Sequence, residues 1–357
     1  MNVVERSQAF ALAALGHQVE MVTRRTSAAD PEVVELAPGV LLRHLDAGPP
    51  VPLPKSVIDD HLDQFTAGLR RLGRYDLYHS HHWMSGVAAL PGSPLSAGEP
   101  AESPRRVAGE ALVATGSDAV VAISAAEART VIERCGADPQ RVSIIQPGVD
   151  HQLFRPLGAS ETRWTLPGAG PWPNGYVAFA ARLQPLKGPD LAIGALAQLD
   201  PAIRPHLVLA GDTSADFADY SAALDLLVTE LGMSQDVTFI GPLPREELAR
   251  LFRGAAVVLV PSHSETFGLV ALEAAASGTP VIAAAAGGLR EAVAHGETGQ
   301  LMDSRLPLDW GLALGHLLTQ PGLLARMGVV ARVHSRRFDW RWAARQLAAL
   351  YADLVGD

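Results

Sequence analysis

Cysteine is almost absent from this 357-residue chain, with Cys135 standing alone. One cysteine excludes an internal disulfide and a multi-cysteine metal site, which suits a reducing cytoplasm and leaves Cys135 as a packed or surface thiol. Positive charge is also short: Lys and Arg number 29 against 38 Asp and Glu, a net charge of −9. No broad basic face is available to neutralise a nucleic-acid backbone. Long apolar runs are missing too, and none reaches membrane-spanning length. Glu5 and Arg6 stand where a secretory leader needs an apolar core, so an intracellular enzyme is expected. What is plentiful is apolar residue, 48% against 19% charged, over a length sufficient for two domains each with its own core.

Two carboxylates, Glu265 and Glu273, carry the most information. They bracket a run that follows the apolar strand Ala255–Val260, closed by Pro261. Phe267-Gly268 reads as a tight turn opening a helix to Ser277, with Gly278 and Pro280 as its stop signals. Glu265 falls just before the helix N-terminus, and Glu273 lies five residues past Gly268, on the order of 7 Å along the axis. Free backbone amides at that N-terminus favour an anion such as a diphosphate. Carboxylates on either side of it can accept hydrogen bonds from a sugar at one end and a ribose at the other. Acidic pairs at this spacing are common on solvated helices. The coincidence of strand end, glycine turn and helix start sets this one apart.

From about residue 176 short apolar strands alternate with helices, the pattern of a parallel doubly wound sheet. Strands are expected over Tyr176–Ala181, His206–Ala210, Val237–Ile240, Ala255–Val260 and Val281–Ala284. Helices are expected over Pro189–Leu199, Tyr220–Leu231, Arg245–Phe252, Phe267–Ser277 and Leu289–Ala294, with Leu306–Leu318 and Trp340–Leu354 closing the chain. Arg155–Gly175, rich in proline and glycine, reads as a linker. The N-terminal half is less regular. It predicts helices over residues 2–15, His61–Leu72 and Val107–Ala114, and strands over Gln18–Arg24, Val40–Leu45, Tyr75–His79, Ala119–Ile123 and Val142–Ile145. Ala88–Pro104 reads as a loop.

The C-terminal half resembles the family-4 retaining glycosyltransferases of the two-Rossmann GT-B fold. The resemblance rests on Pro147-Gly148-Val149-Asp150, the run Ala181 to Gly188, Leu209-Ala210-Gly211-Asp212, Ser262 to Glu273, and His295-Gly296-Glu297-Thr298-Gly299. Arg182 to Lys187, with His79-Ser80-His81-His82-Trp83 and the opening Met1-Asn2-Val3-Val4, resembles the mycothiol-pathway branch, which moves N-acetylglucosamine from UDP-N-acetylglucosamine to inositol 3-phosphate. The resemblance implies an α/β fold of two Rossmann-like domains facing a cleft. They would be 1–155 on the acceptor side and 156–335 on the nucleotide-sugar side, with 336–357 a helix packing back on the first. It assigns catalytic roles to Arg182, Lys187 and Glu265, with both cations on the pyrophosphate and Glu265 on the sugar. Glu273 would hold the ribose, with Gly268, Leu269 and Val270 on the diphosphate. Lys55, His82 and Arg106 fall to the acceptor, and His79 and His81 to the cleft wall. The expected partners are a UDP-sugar and a small acceptor, with a homodimer left open. No cofactor is required. Mg is admitted but not indicated, because no Asp-x-Asp motif is present.

Two departures from the family pattern bear on activity. A family member begins with a strand and a glycine-rich loop before the position of Met1-Asn2, and carries a further His-Thr-bearing strand between the positions of Gly86 and Arg105. The N-terminal sheet is therefore expected to lack two central strands and to be weakly stable. Three alternatives stay open: a same-fold transferase with another acceptor, a paralogue that binds nucleotide-sugar without transfer, and a GT-B epimerase.

Overall fold

The computed structural model describes residues 3–73, 75–90, 104–166, 172–213 and 217–356. The chain divides into two compact units, Met1–Gly148 with Trp340–Asp357, and Val149–Asp339.

In the first unit, α1 (Val3–Ala13) leads to β1 (Val19–Arg24), β2 (Val33–Ala37) and β3 (Val40–Leu45). Then come α2 (Lys55–Ile58), α3 (Leu62–Arg71), α4 (Trp83–Ala89), α5 (Pro104–Gly116), β4 (Val120–Ala122), α6 (Ala125–Cys135) and β5 (Val142–Ile144). β1, β3 and β2 form one sheet in that order, β1 parallel and β2 antiparallel to β3, while β4 and β5 form a separate parallel pair. Among the described residues no ladder joins the two. Tyr75–His79, expected as a strand, is not one. A strand needs a neighbour for its main-chain groups. This segment is instead tethered by side chains, Tyr75 Oη donating to Glu20 and Tyr78 Oη to the Gly73 carbonyl. β2 escaped the sequence reading; Pro38-Gly39, with Gly39 at φ 79°, is the hairpin turn that makes it. Of the expected loop Ala88–Pro104, residues 91–103 lie outside the described residues, as do Met1 and Asn2.

The second unit carries β6 (Tyr176–Ala180), α7 (Pro189–Ala197), β7 (His206–Ala210), α8 (Ala218–Glu230), β8 (Val237–Gly241) and α9 (Arg245–Gly254). It continues with β9 (Val258–Val260), α10 (Leu269–Ala276), β10 (Val281–Ala284), α11 (Leu289–Ala292), β11 (Gly299–Met302), α12 (Pro307–Leu318) and α13 (Pro321–Ser335). Its six strands are all parallel, in the order β11-β10-β9-β6-β7-β8. Every residue of β6, β7, β9 and β10 is buried, as in a sheet covered on both faces. The chain builds outward from β6 to β8, then returns to lay β9 on the other flank of β6. Strand order therefore reverses between β6 and β9, and open α/β sheets take ligands beyond the carboxyl ends of strands at such a reversal.

The expected linker Arg155–Gly175 is part of this unit over its described portion; residues 167–171 lie outside it. Its proline and glycine content misled, because side chains anchor it. Trp164 is buried against the Tyr176 ring, and Arg155 and Arg253 both meet Glu161. α13 was missed because Gly322, Gly328 and three valines dilute its helical pattern. β11 is a short edge strand of mixed burial.

The last helix, α14 (Trp340–Val355), belongs to the first unit, where Ala343, Ala344 and Leu347 pack with Leu12 and Ile145. That cluster and the one around Leu62, Trp83, Val87 and Ala88 are small. The second unit holds one continuous core running from Val177 to Met327. Limited proteolysis of the native protein is expected to degrade the first unit and leave a resistant fragment close to 149–339, read by mass spectrometry. Equal resistance of both units would contradict this.

Candidate active site

The loops after β6, β7, β9, β10 and β11 meet at the carboxyl edge where strand order reverses. The one after β6 is fixed by its backbone: Leu183 N–H donates to the Asp212 carbonyl at 3.0 Å, and the Leu186 carbonyl accepts from His263 N–H at 2.8 Å. Gly211 is required because a Cβ there would lie 1.8 Å from the Ala181 carbonyl oxygen. This loop delivers Lys187 to the one after β9, and Lys187 Nζ meets Glu265 Oε2 at 2.6 Å. Ser262 Oγ donates to the same oxygen at 3.3 Å. Both charged side chains are largely but not fully buried, 18% and 21% exposed, so their charges act in a medium less polar than water.

Gly287-Gly288, after β10, backs the pair. Gly288 N–H donates to the Glu265 carbonyl at 3.0 Å, and a Cβ on Gly287 would sit 2.0 Å from that oxygen. From the loop after β11, Arg305 Nη1 donates to the Pro261 carbonyl at 2.6 Å. The Glu265 backbone is therefore held by the Gly287-Gly288 turn, and the start of its loop by Arg305 at Pro261. Gly268, at φ 105°, caps α10 without a side-chain hydrogen bond, so the first amides of the helix keep their donor capacity. The helix begins at Leu269, two residues later than the sequence pattern suggests.

Glu273 is buried inside α10, with its Oε1 3.0 Å from Arg245 Nη2. Burial pushes this carboxyl up to about 7, and the Arg245 guanidinium opposes the rise. Arg245 lies over the Phe154 ring, 5.0 Å from its centroid. Sequence reasoning missed Arg245. A signal existed, for it opens α9, where the helix dipole disfavours a cation. Arg182 is exposed just past β6, and among the described residues its side chain forms no hydrogen bond or ion pair. Lys187 and Glu265 thus meet directly, Gly268 to Val270 follow on the same segment, and Arg182 stands open on the neighbouring loop.

The residues expected at the acceptor belong to the first unit. Lys55 opens α2. Arg106 pairs with Glu110 one turn along α5 at 2.8 Å, so any anion there competes with that carboxylate. His82 has φ 75°, the one positive value among described non-glycine residues, and its carbonyl accepts from Gly86 N–H at the start of α4. Backbone strain of this kind collects at functional positions. The His79 and His81 rings stack 4.6 Å apart, and His79 Nδ1 contacts Tyr351 Oη. His79 is exposed by area, yet the crowding chain and its neighbour His81 hold it below the usual imidazole value.

Residues 171–334 match the family described as glycosyl transferases group 1, and residues 1–148 match the glycosyl transferase 4-like domain. The chain is a member of this glycosyltransferase family. The D-inositol 3-phosphate glycosyltransferase of Thermomonospora curvata is 39% identical, over 98% of this chain and 90% of that protein. The protein of that name from Mycobacterium tuberculosis is 40% identical, over all of this chain and 79% of its own length. Among solved structures, sucrose-phosphate synthase from Thermosynechococcus elongatus superposes with a TM-score of 0.83 at 29% identity, covering 98% of this chain and 92% of that one. Anabaena HepE in complex with UDP-glucose gives 0.61 at 26% identity, covering 70% and 67%. The architecture of this glycosyltransferase is GT-B.

Substituting Gly287→Ala should displace Glu265 and lower glycosyl transfer by about tenfold or more, while urea unfolding shifts by only about 1–3 kcal/mol. Unchanged transfer rates would show that the glycine turn does not set Glu265.

Proposed function

We propose that this glycosyltransferase moves N-acetylglucosamine from UDP-N-acetylglucosamine to an inositol-phosphate acceptor with retention of configuration. The observation that carries this reading is the Lys187–Glu265 contact beside the uncapped start of α10. That arrangement suits a diphosphate with a sugar on its far side. The names of the relatives supply the sugar acceptor, and the UDP-glucose complex of HepE supplies the nucleotide class.

In this reading the diphosphate lies on the amides of Gly268, Leu269 and Val270, within reach of Arg182 and Lys187. As the bond from the anomeric carbon to the diphosphate lengthens, negative charge grows on the departing oxygen. Cations and amides already in place stabilise it without reorganising. Glu265 accepts from sugar hydroxyls and keeps Lys187 oriented. The acceptor hydroxyl attacks on the face the leaving group vacates and passes its proton to the departing diphosphate oxygen, so no protein nucleophile is needed. Arg, Lys and the helix start provide the positive potential, and no metal is required. Lys55, His82 and Arg106 hold the acceptor phosphate.

Calorimetry with UDP and UDP-N-acetylglucosamine, paired with transfer of labelled sugar to 1-D-myo-inositol 3-phosphate in the presence of EDTA, tests the reading. Binding and transfer are both expected, with Lys187→Ala losing about a hundredfold or more in kcat/KM. Binding without transfer to this or any other polyol would favour a nucleotide-sugar-binding protein, a second reading drawn from the unjoined sheets of the first unit. Sugar interconversion without an acceptor would indicate an epimerase.

A further inference from the structure

Glu273 is a buried carboxylate with only part of its hydrogen-bonding capacity used. Oε1 takes the ion pair with Arg245, and among the described residues Oε2 receives no hydrogen bond. Its side chain is 7% exposed, and Oε2 is not sealed off: it keeps a small solvent-facing surface that a ligand can reach. An acceptor oxygen with free capacity and a path to the surface can take a donor from outside the protein. Arg245 is held too: its guanidinium lies on the fully buried Phe154 ring, which packs on Phe252 at 6.2 Å. The stack fixes the guanidinium plane and hence the direction from which Oε1 is gripped.

We propose that Arg245, braced on Phe154, is a positioning residue that grips Glu273 Oε1 and leaves Oε2 to accept from the ribose of the donor nucleotide. This rests on the nucleotide-sugar reading above and adds a residue that neither the motif nor the helix start singles out. A neutral carboxyl would keep one of its oxygens as a donor and lose acceptor capacity toward a diol. Burial favours that neutral form, raising Glu273 to about 7, and Arg245 is the group that opposes it. The elements packed on α10 are α9, α11, α13, β9 and β10. Of these, α9 supplies Arg245, and among the described residues no other titratable or charged group acts on the carboxylate. Glu273 is therefore ionised above about pH 7 and loses its charge as pH falls through that value. Removing the cation moves the transition upward.

The test is calorimetric affinity for UDP from pH 5.5 to 9 on the full chain and on Arg245→Met, Arg245→Lys and Glu273→Gln. The terminal phosphate of UDP titrates in part of this range, so Glu273→Gln supplies the reference curve. Relative to that curve, wild-type affinity should rise through about pH 7. The rise should come at least about one pH unit later in Arg245→Met, weakening UDP binding about fivefold or more at pH 7. Arg245→Lys should recover most of the loss. Far-UV circular dichroism confirms that each variant is folded. An Arg245→Met curve displaced equally at every pH, or Arg245→Lys as weak as Arg245→Met, would reduce Arg245 to packing and overturn the proposal. If wild-type protein binds no UDP at any pH, the functional reading fails as well. If wild type binds and Arg245→Met matches it throughout, only the positioning role fails.

Discussion

Lys187 reaches Glu265 because β6 and β9 lie side by side and parallel, so that the loops following both leave the sheet at the same edge. That adjacency is a property of strand order, not of local sequence, and the remaining geometry depends on it. Close backbone approaches preserve it. Gly211 lets the β7 loop sit against Ala181, and Gly287-Gly288 lets the β10 loop sit against Glu265. A methyl group at either place would push one loop off the next. The charges are consequently placed by main-chain packing, which is stiff, more than by their own long side chains, which are not.

The two units solve the same architectural problem to different extents. The second closes a six-stranded sheet under helices on a continuous core. The first holds a three-stranded and a two-stranded sheet with no ladder between them among the described residues, and relies on helix contacts and side-chain tethers. Its strained His82 and the stacked His79–His81 pair are held within this less regular setting. The second unit is thus rigid by construction, while the first rests on smaller, separate clusters.

Most of the second unit was legible because its strands are continuous apolar runs bounded by glycine and proline. β7 and β10 occur where periodicity puts them. The Glu265–Glu273 segment was legible for the same reason: a turn, a helix start and two acids announce a local motif. What stayed hidden was non-local. Nothing near Tyr75–His79 reports that no neighbouring strand pairs with it. Proline and glycine in 155–175 suggested slack, whereas anchoring by Trp164 and Glu161 depends on residues up to 92 positions away. The Arg245–Glu273 pair likewise joins two helices whose facing sides no single window reveals.

The excursion of the chain from one unit into the other and back has a temporal side. Residues 3–148 leave the ribosome before the second unit, yet Leu12 and Ile145 find their core partners on α14, which follows that unit. The second unit has its complete core once residue 339 is available. Synthesis order and maturation order are therefore opposed: the residues before 149 precede the second unit, yet keep apolar faces uncovered until α14 has followed it.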